Sequence, residues 1–261
     1  MTIPLDHLVI NTHFAIDQAA ERFRGLGFTL TPRGYHSLGS CNHLMMFADH
    51  YLEIVGLPAG GGRIRQEILD SPVGIDGLVF ATEDARRTAR RLAEAGFVLQ
   101  PVQDFSREVV SGDKSGLARF TTARLAPGEF PAGRVYFCQH HTREWVWRPE
   151  WLTHANGVAG ITALTIITDD VMSTEQHYRR LGNTERQFAL NIVDYAVFAR
   201  LFAGLPLPAP GGDRFAAIHF QGGDLSRIAR GAAALNLPLQ WREGRLQVAL
   251  PDLTTLLEFL P

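Results

Sequence analysis

The sequence predicts an α+β fold made of a repeated strand–helix–strands (βαβββ) unit, with about four units arranged in two halves. Three observations predict it. A short apolar strand followed by a helix recurs four times. Each helix stops at a Gly or Asn, the residues that a left-handed cap selects. Segments of β-like pattern, separated by turn formers, follow the helices.

The units run in order along the chain. In the first, the strand is Leu5-Asp6-His7-Leu8-Val9-Ile10, and a helical run from Ile16 through Phe23 stops at Leu26-Gly27-Phe28. In the second, Ile75 to Phe80 precedes a helical run from Asp84 to Ala95 that stops at Gly96. The third has Ile161 to Ile166, then Ser173 to Arg180 and Gly182; the fourth has Phe215 to Phe220, then Leu225 to Ala234 and Asn236. Thr82, Asp84, Ser173 and Asp224 sit near helix starts, where short polar side chains take up the first free amides. The first unit is expected to continue with strands at Phe28–Arg33, Leu44–Ala48 and Tyr51–Leu57, and the second with Glu108–Val110, Ala118–Leu125 and Val135–Gln139. The fourth continues with Pro238–Trp241, Leu246–Leu250 and Thr254–Phe259. The third is the least regular: Phe188–Val193 and Tyr195–Phe202 read as strands, with no evident closing strand before Pro206. Gly60-Gly61-Gly62 reads as a flexible connection between the first two units. Asn156-Gly157 opens the turn between the halves, residues 1–155 and 156–261.

Composition narrows the function classes. Hydrophobic residues make up 46% and charged residues 20%, and the formal net charge is −2. No basic footprint argues for a nucleic-acid partner. Cys41 and Cys138 fall in strand-like segments without disulfide or zinc spacing, so buried reduced thiols and a cytoplasmic location are expected. A strand begins almost at the N-terminus, without the pattern of a signal peptide, and no apolar run is long enough for a membrane helix. P-loop, dinucleotide, Ser-elbow and CxxC motifs are missing.

Three motifs carry a family resemblance. They are Asp6-His7-Leu8-Val9; Asn42 ahead of Leu44–Phe47 with Tyr51-Leu52-Glu53 following; and Phe137-Cys138-Gln139-His140-His141-Thr142-Arg143-Glu144-Trp145. With the βαβββ units, they make the chain resemble the vicinal oxygen chelate superfamily on its glyoxalase-like branch, closely in the first half and by pattern in the second. The resemblance implies paired units forming cupped mixed sheets, with a divalent metal (zinc, iron, nickel or manganese) in the cup. It implies a lyase, isomerase or dioxygenase-type enzyme acting on a small oxygenated metabolite. It also implies pairing of units across a homodimer, although four units in one chain can pair internally.

In that superfamily the ligands come from the first and last strands of paired units, because neighbouring strands project alternate side chains to one face. His7 stands on the first strand and Glu53 on the last strand of unit one. In unit two Gln139 takes the position matched to Glu53, and His141, two residues on, shares its face; His140 points the other way if the strand stays regular and turns inward if the strand ends there. His7, Glu53, Gln139 and His141 are thus the candidate metal ligands, and Glu53 is the candidate general base. Gly77 stands where His7 would repeat, which removes one ligand. A metal-free protein that binds or sequesters a small molecule in the same cup is therefore the alternative.

Asn42, Arg119 and Trp145 are the candidate substrate contacts. Arg119, with Arg107 and Arg143, is a candidate to hold a carboxylate by bidentate contact. Trp145 leads a cluster with Trp147 and Trp151 that either caps an apolar ligand or pins the connection between the halves. His219 and Glu258 repeat part of the set in the second half, but Ala163 stands where another His is needed, so that half reads as packing and pocket shape. His36, His43 and His50 read as solvated turn residues.

Overall fold

The computed structural model describes residues 2–60, 63–112, 114–184 and 186–261. Gly61 and Gly62, part of the expected flexible connection, lie outside the described residues. After a short strand β1 (Thr2–Ile3), unit one comprises β2 (Leu5–Asn11), α1 (Ile16–Gly25), β3 (Gly34–Tyr35), β4 (Cys41–Met46) and β5 (Tyr51–Gly56). A short helix α2 (Gln66–Asp70) leads to unit two: β6 (Gly74–Ala81), α3 (Ala85–Glu94), β7 (Gln103–Ser111), β8 (Lys114–Arg124) and β9 (Arg134–His140). The second half contains β10 (Val158–Ile167), α4 (Val171–Arg179), β11 (Asn183–Thr184), β12 (Ala189–Val193) and α5 (Tyr195–Leu201). It ends with β13 (Arg214–Gly222), α6 (Leu225–Ala234), β14 (Leu239–Arg242), β15 (Arg245–Leu250) and β16 (Thr255–Phe259).

The first half forms an eight-stranded sheet ordered β3-β4-β5-β2-β6-β9-β8-β7. The opening strands β2 and β6 lie antiparallel at its centre, each flanked by its own closing strand in parallel, β5 and β9. The sheet curls until its edges touch: Ser37 N donates to Ser106 O at 3.0 Å, and His36 bridges Arg107. That closure makes the cup. The second half repeats the centre in a six-stranded sheet ordered β12-β10-β13-β16-β15-β14. A parallel pair, β1 with β11, ties the N-terminal strand to the second half.

Strand alternation divides the side chains between two environments. Leu8 and Ile10 of β2 join the large core that α1, α3 and α6 cover, while Val9 joins a separate cluster on the concave face. A register shift between Leu5 and His7 places two β2 residues against one of β6. Such a bulge re-aims side chains. It sends Leu5 to the core and leaves the consecutive Asp6 and His7 close enough to bond each other.

One core spans both halves, with Phe28 packed on Phe220 and Phe259 across the junction. Helices α1 and α6 meet there at close range. A Cβ on Gly231 would lie 2.3 Å from Gly25 O, so only glycine permits the approach. Asp84, Asp170, Asp194 and Asp224 cap α3, α4, α5 and α6 by accepting from the amides of Arg87, Ser173, Val197 and Arg227. Caps of this kind are worth about 1 kcal/mol each.

Two expected strands are corrected. Residues 28–33 are irregular, because Pro32 cannot donate to a ladder and only Thr31 bonds to Leu44. Tyr195–Phe202 is largely helix α5: Tyr195, Phe198 and Phe202 recur at helical spacing behind the Asp194 cap. In place of the hairpin of the other units, this third unit turns its helix inward. Phe198, Phe202 and Leu205 pack on Ala217, Ala249 and Leu256 and fill the second sheet's concave face.

Candidate functional site

The first cup encloses about 500 Å³, its open mouth included, lined by His7, His36, Asn42, Glu53, Arg107 and Tyr136 among others. His7 comes from β2. Its Nδ1 lies 2.5 Å from Asp6 Oδ1, and its ring stacks on Tyr51 with centroids 4.3 Å apart. With Nδ1–H donating to Asp6, Nε2 presents its lone pair to the cavity, within reach of the Tyr136 hydroxyl. There it lies 3.6 Å from Glu53 Oε2 and 3.4 Å from the Tyr136 hydroxyl.

Asp6 also accepts from His140 Nε2, at 3.0 and 3.1 Å. Burial raises the Asp6 pKa, but His140 and His7 outweigh it and hold the carboxyl well below the usual range. Glu53 behaves similarly: burial pushes it up, while His36, His7, Asn42 and Arg107 together pull it below its ordinary value. One Glu53 oxygen, Oε1, accepts from Asn42 Nδ2 at 2.7 Å. His36 is driven down to about 4 by burial and is neutral at pH 7; its Nδ1 bonds Ser40 Oγ at 2.9 Å, and Asn42 Nδ2 donates to its Nε2 at 3.3 Å. Burial keeps the Tyr136 phenol protonated.

Among the residues picked from sequence, the structure brings His7, Glu53 and Asn42 together and leaves Gln139, His141, Arg119 and Trp145 outside the group. The cause is register. Gly77 pairs with Arg134 as His7 pairs with Tyr51. Tyr136, three residues before Gln139, is therefore the true counterpart of Glu53. Arg134, Tyr136 and Cys138 line the cavity, and His140 continues their face to reach Asp6. Gln139 turns the other way and accepts from Ala85 N at 3.1 Å. His141 is exposed, beside Thr121 Oγ1 at 2.7 Å. Arg119 is exposed between the buried Ala118 and Phe120. Trp145 lies over Gly116, where a Cβ would be 2.0 Å from its ring. Trp147 closes the site instead, packing on Tyr51 and His140 and donating to Phe47 O at 3.1 Å.

Residues missed from sequence complete the site. Asp6 was hidden by the bulge, and Tyr51 and Tyr136 by the uncertain register. His36 is a cavity residue rather than a solvated one. His43 is buried beside Thr31 O, and His50 Nε2 accepts from Ile161 N at 2.8 Å across the junction. Arg107 was one of three candidate arginines; it is 4% exposed and lines the cavity.

The donors in the cup are compatible with a divalent ion. Bonds of about 2.0–2.2 Å allow one ion to reach both His7 Nε2 and Glu53 Oε2 across their 3.6 Å separation. Asp6 behind His7 supplies the orienting carboxylate usual for a histidine ligand. The third nearby donor, Tyr136, is a neutral phenol. The remaining expected ligand is replaced by Gly77, where a Cβ would lie 2.8 Å from Val9. The set therefore fits an ion held by two strong donors, with positions left open to substrate. Asp6, Cys138 and His140 form a second compact group, their ligand atoms within 4.8 Å of one another. Asp6 there is already engaged by both imidazoles, and burial raises the Cys138 thiol well above its ordinary pKa.

The second cup has a similar polar core with no spare valence. His219 Nδ1 donates to Glu258 Oε2 at 2.8 Å, its Nε2 meets Thr165 Oγ1 at 2.7 Å, and Gln247 donates to Glu258 Oε1 at 2.7 Å. Gln247 precedes Glu258 by 11 residues, as Asn42 precedes Glu53. The amide–carboxylate pair is thus a repeated device, buried in the second half under α5.

Comparison with known proteins agrees with this architecture. A family model described as a glyoxalase-like domain matches residues 5–182. A hypothetical protein from Staphylococcus aureus superposes with a TM-score of 0.67 at 11% identity, covering 99% of both chains. A mutant of 4-hydroxymandelate synthase from Streptomyces coelicolor gives 0.57 at 10% identity, covering 99% of this chain and 92% of that one. A fusion of a xylose isomerase-like TIM barrel with 4-hydroxyphenylpyruvate dioxygenase gives 0.55 at 14% identity, covering 99% of this chain and 49% of that one. At these identities the likeness establishes the fold alone. No curated protein matches the sequence. Among the described residues, no helix is long and apolar enough to cross a membrane.

Proposed function

The chain belongs to the glyoxalase-like domain family, within the vicinal oxygen chelate fold, and from that premise we propose that its first cup is a divalent-metal-assisted active site that moves a proton on a small oxygenated substrate. The observation that carries this reading is the convergence of His7 Nε2 and Glu53 Oε2, 3.6 Å apart, on one cavity. His7 and Glu53 would hold the ion, which when bound supplies Lewis-acid polarisation of a substrate oxygen.

The chain's own groups provide the rest. Asp6 fixes the His7 tautomer and stacking on Tyr51 fixes its plane. Asn42 occupies one oxygen of Glu53 and leaves the other toward the cavity. Ionised at neutral pH, Glu53 Oε2 would hold the ion or, when not held by it, take a proton from substrate carbon or oxygen. The protonated Tyr136 hydroxyl, 3.4 Å from His7 Nε2, is placed to donate to an oxygen that gains charge. This division of labour suits an isomerase or lyase step.

A second reading, a metal-free binding protein, is favoured by Gly77 and Tyr136 standing at two of the expected ligand positions. Elemental analysis of protein purified without chelator separates the two. Near-stoichiometric first-row metal, lost in His7→Ala and in Glu53→Gln, supports the metal site. Folded protein that carries no metal and takes up none on titration refutes it and favours the binding protein.

A further inference from the structure

Three guanidinium groups line the first cup, and two are neutralised. Arg65 pairs with Glu67 at 2.6 Å, and Arg134 Nε donates to Asp76 at 2.7 Å. Arg107 is different. It reaches in from β7 and is 4% exposed, and its Nη2 has no hydrogen-bond partner. Among the described residues it forms no salt bridge. A buried guanidinium left short of an anion is costly in a folded chain. Close by, Asn42 Oδ1 is also buried and without a partner. Both residues press on Gly34: a Cβ there would lie 2.5 Å from Asn42 Oδ1 and 3.0 Å from Arg107 Nη1. The cup thus presents an unused cationic donor and an unused neutral acceptor side by side, next to Glu53.

We infer that Arg107 and Asn42 form a substrate subsite that takes a small carboxylic acid bearing a hydroxyl group, the carboxylate on Arg107 and the hydroxyl proton on Asn42 Oδ1. The guanidinium fork matches a carboxylate. The Asn42 amide is held by Glu53 and His36 through its nitrogen, which leaves the oxygen beside Arg107 without a donor. The subsite deepens the proposed function by naming its substrate class and rests on that reading for the role of the cup. Its anion contact is made by the chain and needs no ion.

The test is calorimetric titration with glycolate, lactate and their uncharged amides, before and after chelation. The proteins compared are wild type, Arg107→Gln, Arg107→Lys and His7→Ala. Hydroxycarboxylates should bind and their amides should not. Arg107→Gln should weaken binding by about tenfold or more, the loss of a charge-assisted contact, with Arg107→Lys weakened less. His7→Ala should retain carboxylate binding. The metal content of Arg107→Gln should equal that of wild type, so a failed metal site and a failed subsite give different patterns. Carboxylate binding that vanishes on chelation, that ignores Arg107, or that is matched by the amides would overturn the inference, as would no binding by any acid. Melting without ligand gives an independent check. Arg107→Gln should melt no lower than wild type, whereas a fall of several degrees would mark Arg107 as a structural cation.

Discussion

Acid should loosen the junction between the halves through His154. Its ring lies between Phe28 and Phe47, and its Nδ1 accepts from Thr29 N at 3.0 Å. An imidazole that accepts at Nδ1 cannot be protonated there without losing that bond. Burial lowers its pKa from 6.5 to about 4. Because the folded value is the lower one, the unfolded chain binds the proton first as pH falls. The stabilisation is complete above pH 6.5 and drains away toward pH 4. Linkage puts the loss at about 2 kcal/mol by pH 5 and about 3 kcal/mol by pH 4. His154→Asn keeps an acceptor where Nδ1 stood and removes the titration. Urea denaturation of both proteins at pH 7.5, 6, 5 and 4 isolates His154, since every other titrating group cancels in the difference. The wild-type advantage should shrink by about 3 kcal/mol across the series. A difference that stays within about 0.5 kcal/mol at every pH would refute the reasoning.

Two further outcomes follow from packing. Gly77→Ala puts a Cβ 2.8 Å from both the Val9 Cβ and one of its methyl groups and should cost about 1–3 kcal/mol in denaturant melts, a loss that Val9→Gly relieves and Val9→Ala, which keeps the Cβ, does not. Phe198→Ala empties a fully buried position under the second sheet and should cost about 3–5 kcal/mol, while elemental analysis finds the metal content of the first cup unchanged.

The fold was legible in the sequence because its signals are local and repeated. Four strand–helix pairs with Gly or Asn stops are enough to mark the βαβββ unit. Of the residues that line the first cup, sequence singled out those near the start of a strand, as His7 is, or marked by neighbours, as Glu53 is. Gln139 and His141 lie off the cavity face because sequence similarity between closing strands does not fix pairing register, and an odd shift exchanges the faces of every side chain. Here Tyr136, not Gln139, lies level with Glu53. Asp6 was invisible for a related reason: a bulge, which no local composition announces, places it beside its neighbour His7. Arg107 and His36 meet only when distant sheet edges close, so nothing local set Arg107 apart from Arg119 and Arg143 or marked His36 as a cavity residue. Helix α5 was misread because a short apolar segment fits both periods, and the Asp194 cap was the clue that should have decided it.

The helix lodged in the second cup has a consequence for counting. A chain with two sheets of the same design would ordinarily offer two chambers and bind two ligands. Phe198, Phe202 and Leu205 seal one of them from within. Of the two cups, among the described residues, only the first stays open, and native mass spectrometry with a ligand of that cup should find each chain saturated at one equivalent.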